Sequence, residues 1–335
     1  MIFDSVDMDI EEVKDLKVYI GQRFVFDAVV QSVTLKKSRD GTPFIQLDIT
    51  RNGGFWQVFD WDGSKDTLPY WEVGKVYTFY VEVQSFRTSL KLCHSELTNR
   101  NSSELMKWED GYEEALEGIK QYISEIQHTE IGRLTIRLLQ KNWEKFRDIP
   151  AGKSNHHRWL GGLVVHSYCV AKGCKEMGEF YNHLRPSNDY DFLNLNLLLC
   201  GALLHDIGKL KEFEYDNHLA HVEYSLDSQL MTHLGIGMLM IHEEAIAMGI
   251  ADTQEVRELE HLIASHHGKT EYQAIIEPHM LEAKILASMD MLDAQINRQG
   301  EINKKIEHGS GRSDWEGGKA TAYYNSIPEK KEIKI

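Results

Sequence analysis

The hydrophobic pattern of the chain changes period once, near residue 100, and this change predicts two domains of different class. Between Gly21 and His94 apolar and polar residues alternate, as at Ile45, Leu47 and Ile49, which is the period of half-buried strands. Turn-forming sequences such as Asn52-Gly53-Gly54 separate these strands. About five short strands in one stretch of this length is typical of a small closed or half-closed β-barrel.

From residue 101 onward the apolar residues recur with the period of a helix, to about Arg298. The sequence therefore predicts an all-β domain at 15–100 and an all-α helical bundle at 101–298. The remaining residues, 299–335, are rich in glycine and charge, and we expect them to form a loosely ordered tail.

Length and charge limit the classes of function. A chain of 335 residues can bury two hydrophobic cores. The formal charge of −15 argues against indiscriminate binding to nucleic acid or to an anionic membrane, so any polyanion site must be local. The longest apolar stretch, Leu195 to Leu204, is too short to cross a bilayer, and the acidic N-terminus does not resemble a secretory signal. We therefore expect a soluble, cytoplasmic protein.

The helical half carries histidines and aspartates at the apolar faces or ends of separate helices. Neutral imidazoles and carboxylates bind first-row divalent cations while leaving positions open for water and substrate. Asp206 ends a strongly apolar run, where burial of a carboxylate is costly without a cation or several donors. Lys209 lies four positions after His205, where it could face a phosphate. The candidate ligands are His166, His205, Asp206, His233, His266, His267 and Asp290.

Each of these residues has a simpler interpretation when it is taken singly. His166 alone would more often be a hydrogen-bonded core histidine. Asp293, one turn after Asp290, competes with it as a ligand. The adjacent His266 and His267 could be surface residues. The joint pattern, in which separate helices each supply a ligand-type residue, favours a metal site.

At these residues the chain resembles the HD-domain metal-dependent phosphohydrolases, whose pattern is a His, a His-Asp pair and a later Asp on separate helices. Within that group it is similar to the YhaM-type 3′→5′ exoribonucleases, which also carry an N-terminal OB-fold domain. The resemblance rests on four segments: Pro150–Ser167, Ala202–Lys209, Ser265–Tyr272 and Pro278–Ala294.

The resemblance implies a site with two divalent cations. It places His166, His205, Asp206 and Asp290 around one cation, and makes Asp206 the bridge to a second cation held by His233, His266 and His267. It favours manganese, whereas the mixed ligands alone do not choose between manganese, iron, cobalt, nickel and zinc.

The resemblance also implies which residues would contact a substrate. Asp206 and Lys209 would be the catalytic residues, with Lys209 stabilising charge on the phosphate. His157 and Arg158 would hold the scissile phosphate or the terminal sugar, although a solvated loop is an equal alternative for both. In the strand domain Phe44 and Trp61 could stack on unpaired bases, although barrel core is the simpler interpretation of most aromatic residues there.

The leading hypothesis is a metal-dependent exonuclease that removes 5′-mononucleotides from the 3′ end of single-stranded RNA, with single-stranded DNA as a further substrate. One alternative is an HD phosphohydrolase that acts on free or cyclic nucleotides. Another is a non-catalytic nucleic-acid-binding protein with a structural metal site. The sequence predicts no membrane association and is compatible with a homo-oligomer.

Overall fold

The computed structural model describes residues 9–10, 13, 16–85, 89–152, 157–186, 191–216, 221–304, 306–316 and 319–327. The chain divides into two compact units. One contains Met1–Glu109 with Glu214–Glu223, and the other contains Asp110–Phe213 with Tyr224–Ile335.

The first unit contains a closed five-stranded barrel. Around the barrel the strands follow the order β1-β2-β3-β5-β4, and β1 closes it by pairing with β4 in antiparallel fashion. The β3–β5 pairing is parallel. This is the arrangement of an OB-like barrel, so the predicted fold class of the N-terminal half is confirmed. The strands are β1 Arg23–Lys37, β2 Pro43–Arg51, β3 Gly54–Asp60, β4 Val76–Gln84 and β5 Ser89–Leu97.

Two local features allow these strands to close. The register of β1 shifts between Val30 and Ser32, and such a bulge bends a long strand so that it can pair with one neighbour on each side of the bend. Asn52 and Gly53 both have positive φ, at 45° and 84°, as a tight β2–β3 hairpin requires. The inward-facing residues of β2, such as Ile45, are fully buried in the barrel core.

The second unit is built around helices, which confirms the all-α prediction for this half. The most apolar helix, α4, packs against α1, α2, α3, α7 and α8 and is buried along most of its length. None of the helices within the described residues has the length and the apolar composition needed to cross a bilayer. The helices are α1 Tyr112–Ile126, α2 Glu130–Asp148, α3 Gly162–Leu184, α4 Leu195–Leu204, α5 Lys209–Glu212, α6 His233–Met248, α7 Gln254–Ser265 and α8 Leu281–Asn303. The described residues also form two two-stranded sheets, β6 Phe213–Asp216 with β7 His221–Tyr224, and the antiparallel pair β8 Ser310–Glu316 with β9 Lys319–Asn325.

The C-terminal region differs from the expectation of a loosely ordered tail. Helix α8 continues to Asn303, and the β8–β9 hairpin follows it. The buried side-chain amide of Asn325 donates to the carbonyl oxygens of Asn303, at 3.1 Å, and of Ile306, at 2.7 Å. These bonds attach the hairpin to the end of α8. Composition alone does not predict these hydrogen bonds, because they depend on one amide and two main-chain carbonyls rather than on apolar content.

Candidate metal centre

The turn that joins α4 to α5 carries His205 and Asp206 into the interior of the helical unit. Both residues are almost completely buried, because the apolar helix before them lies in the core. Gly208 lies so close to the start of α6 that a Cβ atom there would come within 1.9 Å of the carbonyl oxygen of His233. Glycine at this position therefore allows the turn to approach His233.

The structure brings all seven candidate ligands together. His166 lies in α3, His233 begins α6, and Asp290 lies in α8. The pair His205-Asp206 follows α4 directly, and the pair His266-His267 follows α7. The side chains form two groups on either side of the carboxylate of Asp206.

The first group faces one oxygen of Asp206. His166 Nε2 lies 3.1 Å from Asp290 Oδ1 and 3.1 Å from His205 Nε2. His205 Nε2 lies 3.3 Å from Asp206 Oδ2, and His166 Nε2 lies 3.5 Å from the same oxygen. These four side chains bring two imidazole nitrogens and two carboxylates close to one point.

The second group faces the other oxygen of Asp206. His233 Nε2 lies 3.4 Å from Asp206 Oδ1, and His266 Nε2 lies 3.8 Å from it. His233 Nε2 also lies 3.2 Å from His267 Nε2. One carboxylate thus stands between two clusters of imidazoles and presents a different oxygen to each.

Hydrogen bonds behind the imidazoles decide which ring nitrogen carries the proton. A carbonyl or carboxylate oxygen only accepts, so the Nδ1 atom that contacts it must donate, and the neutral ring then has a lone pair on Nε2. The Nδ1 partners are Ala202 O for His205, Ile263 O for His266 and Tyr272 O for His267, all at 2.8 Å, with Asp293 Oδ2 at 2.6 Å for His166 and Glu212 Oε1 at 3.2 Å for His233.

When all five rings are neutral, their Nε2 lone pairs therefore face the region of the two carboxylates. Two acceptors that face each other at 3.1–3.2 Å, as the Nε2 atoms do in the pairs His166–His205 and His233–His267, need a positive charge between or beside them. Within the described part of the chain, the buried Nε2 of His266 has no hydrogen-bond partner. Divalent cations would satisfy all these atoms, and the donor set is one that first-row metals accept.

The carboxylates are held in their ionised form. Burial alone would raise the pKa of Asp206, but the charge of Lys209 holds it well below its usual value. Burial would likewise raise the pKa of Asp290, but its hydrogen bond to His166 lowers it. Burial disfavours a charged His166, yet its hydrogen bonds to Asp290 and Asp293 raise its pKa. Metal must therefore compete with a proton at His166.

Lys209 lies directly beside the two clusters. Its Nζ is 2.6 Å from Asp206 Oδ2, and its side chain is largely buried. Lys209 also lines an open cleft of about 710 Å³ at whose base Asp206, His233, His267 and Asp290 lie. The ligand clusters are thus accessible from one side, as a substrate site requires.

His157 is buried against helix α8. The residue is 4% exposed, its Nε2 lies 2.8 Å from Asp293 Oδ2, and its main-chain N–H donates to Asn297 Oδ1 at 2.9 Å. Its φ of 47° is unusual for a residue other than glycine. His157 supports Asp293, which in turn orients His166. Both sides of the ring thus face the protein, and the expected contact of His157 with a phosphate or sugar stays a prediction.

The other predicted substrate residues each pack against an aromatic side chain. Arg158 stacks its guanidinium over the ring of Trp159, 4.3 Å from the centroid, and is not among the cleft residues described. Phe44 is 8% exposed and its ring centroid lies 4.7 Å from that of Trp61, so little of its ring is exposed. The stacking of Phe44 and Trp61 on bases stays a prediction. Phe55, at 56% exposure, presents more aromatic surface on the same strands.

Sequence reasoning missed three residues that orient the ligands. Asp293 was considered only as a competing ligand, and Glu212 and Asn297 were not considered. The spacing of Asp290, Asp293 and Asn297 along one side of α8 was the available signal for two of them.

Comparison with known proteins agrees with this geometry. The profile of the HD domain matches residues 163–295, which include every residue of the two clusters. The 3′-5′ exoribonuclease YhaM of a Geobacillus species is 30% identical over 297 residues, which is 87% of this chain and 88% of the relative. The chain belongs to the YhaM family. The proteins of the same name from Bacillus licheniformis and Bacillus subtilis are 28% and 29% identical, each over 87% of this chain and 90% of the relative.

Membership of the YhaM family establishes the class of chemistry. With an HD domain and clusters of histidine and aspartate that can hold divalent metal, the protein is a metal-dependent hydrolase of the phosphodiesterase class. The alternative of a non-catalytic binding protein is thereby set aside.

Proposed function

We propose that this protein is an exonuclease that degrades single-stranded RNA from its 3′ end and releases 5′-mononucleotides. The observation that carries the proposal is the convergence of five imidazole lone pairs on two carboxylates at the base of an open cleft. The names of the relatives support the direction of degradation and RNA as the substrate.

The residues would divide between two cation sites. His166, His205 and Asp290 would hold one cation with Asp206 Oδ2, and His233, His266 and His267 would hold the other with Asp206 Oδ1. Divalent cations bound there would lower the pKa of a water molecule and offset the negative charge of a phosphodiester. We propose Mn²⁺ as the cation, since its preference for oxygen and imidazole ligands suits this set without thiolates.

Lys209 would contact the substrate phosphate. Its Nζ reaches the cleft beside Asp206, so one ammonium group can pair with the carboxylate and with a non-bridging phosphate oxygen. Asp293 and Glu212 would keep His166 and His233 in the tautomer that presents Nε2 to the metal, as carboxylates behind metal-bound histidines do.

The barrel would bind single-stranded RNA. The β1–β2 loop is one of the nucleic-acid contacts of OB folds, and here the exposed residues Lys36, Lys37 and Arg39 flank it. Phe55 supplies an aromatic surface at the β2–β3 turn. This basic loop gives an otherwise acidic protein a local site for a polyanion.

The test compares a 5′-labelled RNA strand with a DNA strand of the same sequence, each incubated with Mn²⁺. We expect the RNA to shorten progressively and the products to be 5′-mononucleotides. Asp206→Asn should abolish shortening, because it weakens the charge that both cation sites share, whereas Asp252→Asn at a fully exposed position should leave the rate unchanged. RNA of unchanged length at stoichiometric enzyme, with hydrolysis of cyclic or free nucleotides instead, would show that the substrate proposal is wrong.

A further inference from the structure

The mouth of the metal cleft carries large apolar side chains that are unusually exposed. Tyr224, Tyr272 and Met291 line the cleft and are 54%, 57% and 51% exposed. A soluble surface seldom leaves several such side chains around one opening unless a ligand covers them. We call these three residues the rim of the cleft.

The main chain of two of the three rim residues connects directly to residues of the ligand clusters. The carbonyl oxygen of Tyr272 accepts the hydrogen bond from His267 Nδ1 at 2.8 Å, and Met291 follows Asp290 in helix α8. The position of their side chains relative to the clusters is therefore fixed by the same backbone that positions the ligands.

Tyr224 is tied to the clusters through its neighbour in the chain. The main-chain N–H of Ser225 donates to the carbonyl oxygen of Glu212 at 2.8 Å, and the carboxylate of Glu212 holds His233. The ring of Tyr224 also packs 5.4 Å from that of Phe213, which is buried and lines the cleft. The two rings form an aromatic wall whose inner ring is fixed and whose outer ring is exposed.

Tyr272 has a cation at one side of its ring. Lys269 Nζ lies 5.9 Å from the ring centroid of Tyr272 and 3.2 Å from a carboxylate oxygen of Glu271. A single ammonium at this distance does not cover the ring, as the 57% exposure of the residue shows. Gln273 and Gln295, also in the cleft lining, add amide donors and acceptors.

A cleft of about 710 Å³ has the size of a site for one small organic group rather than for a double helix. Its base is polar and suited to a phosphodiester, while its mouth offers flat aromatic rings. The group that combines an anionic diester with a flat ring a few ångströms away is a nucleotide, and stacking on aromatic side chains is how proteins hold unpaired bases.

We infer that the rim is a nucleobase subsite, in which Tyr224 and Tyr272 stack on the 3′-terminal base while the terminal phosphodiester lies at the metal clusters. This inference rests on the proposed function. Stacking accepts every base because every base has a π-face, so the subsite selects unpaired ends rather than a sequence. A paired 3′ end is a poor substrate because its terminal base must first leave the stack.

The experiment combines protein variants with a change in the substrate. Tyr224→Ala and Tyr272→Ala are compared with the Phe variants, on an RNA strand whose 3′-terminal nucleotide carries a base and on one whose terminal nucleotide is abasic. Each Ala variant should raise KM for the normal strand by roughly 5- to 100-fold, the effect of losing one base–aromatic stack. The Phe variants keep the ring and should retain KM close to that of the wild type.

The abasic strand distinguishes stacking from a structural effect. The wild type should lose affinity for it, and the Ala variants should show little further loss, because the interaction is already absent. Mn²⁺ affinity measured by calorimetry should be the same in Tyr272→Ala as in the wild type, since the carbonyl that holds His267 remains. Tyr324→Ala, at a 62% exposed tyrosine of β9, is the matched control and should change nothing.

Two results would overturn the inference. One is an unchanged KM in both Ala variants; the other is an equal proportional loss on the normal and the abasic strands, which would show that the rings act through the fold. Failure of the wild type to shorten either strand would instead reject the proposed function, and the nucleobase subsite with it.

Discussion

Replacement of Asp293 by asparagine tests whether the hydrogen bonds behind the imidazoles control metal binding. One oxygen of Asp293 accepts from His166 Nδ1 at 2.6 Å and from His157 Nε2 at 2.8 Å. Burial would raise the pKa of Asp293, but these two hydrogen bonds hold it well below its usual value, so the acceptor is a carboxylate at any working pH. Asparagine has nearly the same shape and removes the charge.

The expected loss of metal affinity follows from the two hydrogen bonds that Asp293 accepts. A hydrogen bond to a charged group contributes about 1 kcal/mol more than one between neutral groups. Two such bonds give about 2 kcal/mol, which corresponds to a loss of roughly 30-fold in metal affinity. This value lies within the range of about 10- to 100-fold that is usual when the partner of a metal-bound histidine is removed.

The assay is Mn²⁺ binding by isothermal titration calorimetry, with hydrolysis measured over a range of metal concentrations. The variant should need about 30-fold more metal for half-maximal activity and should recover most of its maximal rate at saturation. Asp290→Asn should behave differently and should lose most activity even at high metal concentration, because Asp290 faces His166 Nε2 itself.

A Kd for Mn²⁺ that is unchanged in Asp293→Asn, in a variant with an unchanged thermal transition, would show that His166 needs no support from this carboxylate. A complete loss of binding that excess metal does not restore would show instead that Asp293 is a ligand. Asp252→Asn, fully exposed, controls for the removal of one negative charge.

Three further predictions concern stability. Glu244 is buried between Arg137, at 2.5 Å, and Lys141, and although burial would raise its pKa, these partners lower it. Glu244→Gln should therefore destabilise the protein at pH 7 by about 1 kcal/mol, a discounted value because both partners are half exposed. This difference in the free energy of unfolding should disappear as the pH falls through the folded-state pKa of Glu244, which lies below the ordinary value for glutamate. Urea unfolding at pH 7 and pH 3.5 measures the difference, and an equal difference at both pH values would contradict the prediction. Gly208→Ala should cost about 1–3 kcal/mol or more, because its Cβ would meet the main chain at His233, and a variant with wild-type thermal stability and metal affinity would contradict the tight approach of that turn. Chelation of metal from protein saturated at 100 times Kd should remove about 2.7 kcal/mol of stability, or roughly 5–10 °C in Tm, and an unchanged Tm in calorimetry would contradict binding to the folded state.

Several parts of the site could be predicted because they depend on local patterns. The apolar run Leu195–Leu204 requires burial, so His205 and Asp206 at its end had to enter the interior. His166 lies beside an apolar stripe, and Asp290 lies beside another, so both could be recognised from helical spacing. The barrel followed from the alternating strands and their turns.

Other parts could not be predicted because they depend on residues that are distant in the chain. His166 and Asp293 are 127 positions apart, and His157 and Asn297 are 140 apart. Neither spacing nor composition indicates that such side chains meet. The burial of His157 could not be predicted for this reason: a histidine beside an arginine in a polar loop looks solvated until α8 is packed against it.

The sequence by itself determined which residues can ligate metal and which half of the chain carries them, because hydrophobic periodicity fixes the class of each unit and the burial of each helical face. Only the tertiary structure decided how each imidazole is oriented. That orientation depends on which acceptor Nδ1 meets, and for His166 and His233 this acceptor comes from another helix. A hydrogen bond selects a tautomer only once both partners are in place, so the direction of the lone pairs is a property of the packed helices.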